Sequence, residues 1–278
     1  MNISDPAQLP YLLQLLDDDA PDVRRELSRA LGAFGPSLKE ELDKLSPPPT
    51  EEQRHLLQWL LEENHRTWVL ESWPEWVASP EGSEKLEAGY ELLSRFQTRL
   101  TYDRRLGFLL DDMARDYSAR VPEPDVRSLA EFLFRDVGLR GAKAQEFYNP
   151  LNSDLVYVIH EKRGLPISLA SVYILVGERL GLSVYGVNFP GHFLARVNSN
   201  DRPLIVDCFN GGRFFSEEEI IATHRGPEEA LRRLLRSPAD ASTIITRVLR
   251  NLVGSFERSR QPENARFAGE LLEKLERR

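Results

Sequence analysis

The chain is poor in the residues that most often announce chemistry. One cysteine, Cys208, stands among 278 residues. It excludes an internal disulfide and any zinc cluster built on cysteines. The five histidines are scattered. His55 and His65 are too far apart on one helix to share a metal. His160, His192 and His224 fall in separate elements without paired ligand spacing, so no metal site is expected. No apolar run approaches the roughly 20 residues that span a bilayer, and no basic segment followed by an apolar stretch opens the chain. The expectation is a cytoplasmic protein with no membrane partner. A net charge of −8 argues against a nucleic-acid partner, since phosphate binding needs clustered Lys and Arg.

What is present is periodic. About two fifths of the chain is apolar (41%), enough to bury a proper core. Leu9–Leu16 and Val23–Phe34 read as two short helices, the second opened by Pro21 and running to Gly35. The string Leu15-Leu16-Asp17-Asp18-Asp19-Ala20-Pro21-Asp22-Val23-Arg24 resembles a HEAT-type repeat, and one copy is found; a packed helical hairpin over residues 1–45 is the competing reading. Pro47-Pro48-Pro49 punctuates the chain. Thr50 and Gln53 then form a capping box for a long helix, with Trp68, Trp73 and Trp76 expected to be core rather than a binding platform. Further helices are expected at Glu84–Thr98 and Asp103–Ser118, making 50–120 helical.

After Pro122 the texture changes. A helix through Val126 and Phe134 ends near Gly138. Asn152 or Ser153 is expected to cap the next helix, which Gly164 ends. Pro166 opens an apolar helix closed by Gly181. The period then becomes two. Val184–Asn188, His192–Val197 and Leu204–Cys208 read as antiparallel strands, the last two joined by Asn198-Ser199-Asn200-Asp201. Gly211-Gly212 reads as a tight turn rather than a phosphate loop, so no cofactor is expected. Ser216 starts a capping box with Glu219. Arginines from Arg225 onward alternate with leucines as a solvated helix face. Two amphipathic stripes, Ile244–Phe256 and Ala265–Leu275, form a terminal helix pair over 239–278. The class is α+β.

The strings Asn152-Ser153, Arg163-Gly164-Leu165-Pro166-Ile167-Ser168-Leu169, Pro190-Gly191-His192-Phe193-Leu194 and Asp207-Cys208-Phe209-Asn210-Gly211-Gly212 occur in an order that resembles the transglutaminase-like superfamily, and more narrowly its bacterial SirB-type branch. The resemblance implies a papain-like core over 121–225, helices packed on a small antiparallel sheet. It also implies a site in which a thiol at a helix N-terminus is activated by histidine and the histidine is oriented by aspartate. His192 falls on the histidine position and Asp207 on the aspartate position. On the register set by Gly164, Ala170 and Gly181, Pro166 falls where active members carry cysteine. Ser168, two residues on, is a substitute nucleophile on paper, although about 200° of helix separates the two positions. Cys208 should face away from Asp207 as a buried apolar residue. These residues lead to two expectations. One is a non-catalytic binding or regulatory protein with a protein or peptide partner; the other is a hydrolase or acyltransferase using Ser168 with His192 and Asp207. The terminal helix pair resembles the start of a tetratricopeptide-like region, without a full array.

Overall fold

The computed structural model describes residues 5–34, 37–97, 105–199 and 202–277. Gly35, Thr98, Asp103, Asn200 and Asp201, which figured in the expected element bounds, lie outside them.

Three short helices open the fold: α1 (Leu9–Gln14), α2 (Pro21–Gly32) and α3 (Leu38–Asp43). Pro21 occupies the first turn of α2, where its missing N–H costs nothing. The sequence predicts two helices here and misses α3, six residues being too short for a periodic signal. Helix α4 (Glu51–Ala78) follows the proline run and begins with the expected reciprocal Thr50–Gln53 cap. Leu57, Leu60 and Leu61 of α4 close a separate apolar cluster with Leu9, Leu27, Leu31 and Leu38. The other half of α4 belongs to the main core. Trp73 and Trp76 are buried there, and their indole N–H groups donate to the carbonyls of Leu271 and Lys85. Trp68 is 37% exposed, with the Arg95 guanidinium over its ring.

Helices α5 (Ser83–Gln97) and α6 (Leu106–Ser118) lead to α7 (Val126–Glu131), which continues as a π-helical turn, Phe132–Asp136. A two-residue strand β1 (Arg140–Gly141) pairs in parallel with β2 (Arg163–Gly164). Between them lies α8 (Leu155–Glu161), which ends at Lys162 in a left-handed conformation. Gly164 therefore belongs to the ladder rather than to a helix end. The cap of α8 is Asp154, which accepts from the backbone N–H groups of Val156 and Tyr157, one residue beyond the expected Asn152 or Ser153.

Helix α9 (Pro166–Arg179) is buried continuously from Ile167 to Gly177. A helix apolar on every side must sit at the centre of its domain, and α9 packs against α5, α6, α7 and α8 and against β3 (Val184–Val187) and β4 (Leu194–Ser199). The sheet runs β3-β4-β5-β6, all antiparallel, with β5 at Arg202–Asp207 and β6 at Arg213–Phe215. β6 is a fourth strand beyond the three expected. One face of the sheet is covered by α10 (Glu217–Thr223), capped by Ser216 and Glu219, and by α11 (Glu228–Arg236). The terminal pair, α12 (Ala241–Arg258) and α13 (Pro262–Glu276), returns to α4 and α5. One hydrophobic cluster thus extends from Val69 to Leu275. The class is α+β, a helical N-terminal region and C-terminal helices around a small antiparallel sheet. Among the described residues no helix is long and apolar enough to cross a membrane.

Candidate functional site

Two residues of the expected triad meet at one end of the sheet. Asp207 is the last residue of β5. His192 is not on a strand; it sits in the turn two residues before β4 begins at Leu194. The difference has a local cause. Pro190 and Gly191 make the turn longer than the alternation after it suggests, and the His192 N–H donates to the Phe189 carbonyl at 3.3 Å. From that turn the imidazole Nε2 reaches Asp207 Oδ1 at 2.8 Å. The side chains are 27% and 13% exposed, respectively, so the pair is partly desolvated and still open to solvent.

Asp207 is held from a second direction. Asn210 donates its backbone N–H to Oδ1 at 3.1 Å and its side-chain amide to Oδ2 at 2.7 Å. Burial pushes the carboxyl up, but the His192 hydrogen bond, the Asn210 amide and the His192 charge outweigh it. The carboxyl therefore sits below its usual range. The role of Asn210 is not part of the sequence expectation. Its signal was there in an Asp with Asn three residues on in a turn, where aspartate commonly accepts from nearby backbone.

Phe209 packs beside the imidazole. Its ring meets His192 edge-on at 6.0 Å between centroids. It also lies over β1, where a Cβ added to Gly141 would come within 2.6 Å of the ring. Phe147 packs on Phe209 at 6.2 Å and on Tyr148 at 5.4 Å. Tyr148 is 45% exposed, and the Arg258 guanidinium stacks 3.7 Å from its ring centroid. A line of aromatic rings therefore runs from the surface to His192.

The other expected residues make no hydrogen bond to this pair. Pro166 is the first residue of α9 and half-buried. Ser168 is fully buried. Its hydroxyl donates to the Asn152 carbonyl at 2.7 Å and makes no hydrogen bond to His192 or Asp207. Cys208 is fully buried in the main core, and burial pushes its thiol well up, away from the thiolate form a nucleophile requires. His224 turns its Nδ1 to the Ile220 carbonyl at 2.8 Å. Among the described residues no three His, Cys, Asp or Glu side chains gather as metal ligands would.

A further residue acts on the His192 turn from a distance. Arg247 of α12 donates through Nη1 to Asn188 Oδ1 at 2.6 Å and to the Phe189 carbonyl at 2.7 Å. Nearly sixty residues separate the partners in sequence, and nothing in the sequence pattern linked them.

The family model described as the transglutaminase-like superfamily matches residues 102–250. A UPF0162 protein of Xylella fastidiosa (strain 9a5c) is 39% identical over 151 residues, covering 52% of this chain and 53% of that protein. A UPF0162 protein of Pseudomonas aeruginosa is 29% identical over 148 residues, 51% of this chain and 54% of its own. The F-box only protein 21 of Mus musculus is 35% identical over 65 residues, 23% of this chain and 10% of that one. The chain spans about half the length of the UPF0162 relatives it matches. No solved structure matches.

Proposed function

The chain belongs to the transglutaminase-like superfamily, with relatives consistent with its SirB-type branch, and we propose that it is a non-catalytic member serving in binding or regulation. The observation that carries this reading is the start of α9. A proline stands at its first position, where the register from Gly164 and Ala170 puts the cysteine of active members. A pyrrolidine ring offers no group that can attack a carbonyl. The partner proposed is a protein or peptide, which the line of rings from Tyr148 to His192 suits, exposed aromatics being a common element of such surfaces.

The hydrogen-bonded His192–Asp207 pair is the observation that favours a second reading, a hydrolase or acyltransferase. That reading needs a nucleophile. Serine is a weak one until a base takes its proton, and the Ser168 proton is directed at the Asn152 carbonyl. Cys208 is sealed in the core. The non-catalytic reading therefore accounts for more of the site.

The test is incubation of the protein with serine- and thiol-directed acylating probes, read by intact mass. No covalent adduct is expected on native protein. An adduct that disappears in His192→Ala would overturn the reading.

A further inference from the structure

A cleft of about 500 Å³ opens beside the His192 turn, between the first half of α12, the end of α13 and Asn188. Hydroxyl, amide and charged side chains line it, with Leu275 as the apolar member. Its volume is in the range of small-ligand sites, although its lining is far more polar than most.

The charges of the cleft are unevenly matched. Arg250 pairs with Glu276 at 2.7 Å. Asp240 caps α12 by accepting from the Thr243 N–H at 2.7 Å. Arg247 has no carboxylate partner among the described residues. Its Nη1 is committed to Asn188 and Phe189, and its Nε and Nη2 donate to no described residue. Those two N–H groups lie parallel on one edge of a planar guanidinium. That edge matches the two oxygens of a carboxylate. Burial also disfavours the unpaired charge, so Arg247 sits below the usual arginine range and gains from a counter-ion.

We propose that this cleft binds a carboxylate borne by a peptide, with the Nε–Nη2 edge of Arg247 gripping the two oxygens and Thr246 and Asn251 available to the adjoining peptide groups. Asp240 and Glu276 also line the cleft and repel a dianion more than a monoanion, which favours carboxylate over phosphate. The site lies apart from the His192–Asp207 pair, and the proposal holds whether or not that pair is catalytically silent. It reaches the pair through the Phe189 carbonyl, which Arg247 and the His192 N–H share, and through the Phe193 ring next to His192, over which the guanidinium lies at 5.6 Å.

The experiment follows backbone amide shifts of the full chain at fixed ionic strength. The probes are N-acetylated trialanine with a free C-terminal carboxylate, its C-terminal amide, a capped tripeptide bearing glutamate at its centre, and inorganic phosphate. Saturable shifts at Asn188, Phe189 and Thr246 are expected with one or both carboxylate probes, and which one responds tells a chain terminus from an acidic side chain. The trialanine amide should leave them unmoved. Arg247→Gln and Arg247→Lys should each weaken binding about ten-fold or more, because lysine keeps the charge and loses the fork. Arg115→Gln, which removes an exposed guanidinium paired with Asp112 on α6 and outside the cleft lining, should bind as the native chain does. If neither carboxylate saturates, if the amide binds equally, if phosphate alone binds, or if Arg247→Lys binds undiminished, the proposal is overturned.

Discussion

Arg247 and His192 donate to the same oxygen, the carbonyl of Phe189, at 2.7 Å from the guanidinium and 3.3 Å from the backbone N–H. The turn carrying the imidazole is thereby tied to α12, an element of the main core. A half-exposed charged hydrogen bond of this kind contributes on the order of 1 kcal/mol. Arg247→Gln should therefore speed hydrogen exchange at the His192 amide by roughly five- to ten-fold. Exchange within α9 should be unchanged.

Ser168 satisfies a buried carbonyl rather than activating a substrate. Asn152 O accepts from Ser168 Oγ at 2.7 Å and from the Leu165 N–H at 3.3 Å. Ser168→Ala should cost about 1–2 kcal/mol in denaturant unfolding. It should not change labelling by any acylating probe.

Asp154 makes the fold sensitive to mild acid in an unusual direction. Burial raises its carboxyl to about 6, against the lowering by the Ser94 hydroxyl and the N–H groups of Tyr157 and Val156. A folded pKa above the unfolded one means that the folded state binds more protons between about pH 4 and 6. From this group alone, stability should fall as pH rises through that window and level off above it. The loss is on the order of 2–3 kcal/mol. Asp154→Asn keeps a side-chain acceptor for the cap and should remove this slope, as read from urea unfolding at a series of pH values.

Asp207 behaves oppositely. Its carboxyl is held low in the folded state, so its contribution is present above the unfolded pKa and is lost as pH falls through the folded one, below about 4. Asn210→Ala removes the 2.7 Å amide bond and should raise the Asp207 pKa. Carbon-13 titration of the carboxyl would show the shift, and Asp207→Asn should abolish the dependence.

Much of this arrangement could be read from residue order, because long helices and alternating strands leave periodic traces. The caps Thr50 with Gln53 and Ser216 with Glu219 formed as expected, their partners being three residues apart. The failures have two causes: distant contacts settled some outcomes, and elsewhere the local signal was too short or misleading. Asn152, Ser153 and Asp154 are all good capping residues. Asp154 takes the cap of α8 while Ser94, sixty residues earlier, donates to its carboxylate. Strands β1 and β2 are two residues each and carry no alternation to detect. His192 reads as part of a strand because its apolar neighbours Phe193 and Leu194 continue into one. The His192–Asp207 bond joins residues fifteen apart on neighbouring segments and was anticipated as a pairing. Asn210, Phe209 and Arg247, which hold that pair in place, were not.

The substitution Pro166→Cys tests most directly whether Pro166 stands at the place of a nucleophile beside His192 and Asp207. On that assignment a thiol there gains from the α9 N-terminus and from the His192 side chain, which bring cysteine pKa values from about 8.5 toward 7 or below. Alkylation by iodoacetamide at neutral pH should modify Pro166→Cys rapidly and leave native protein, with Cys208 buried, unmodified. Adding His192→Ala should slow the reaction about ten-fold. Equal rates with and without His192 would contradict the assignment of Pro166 to the nucleophile's place.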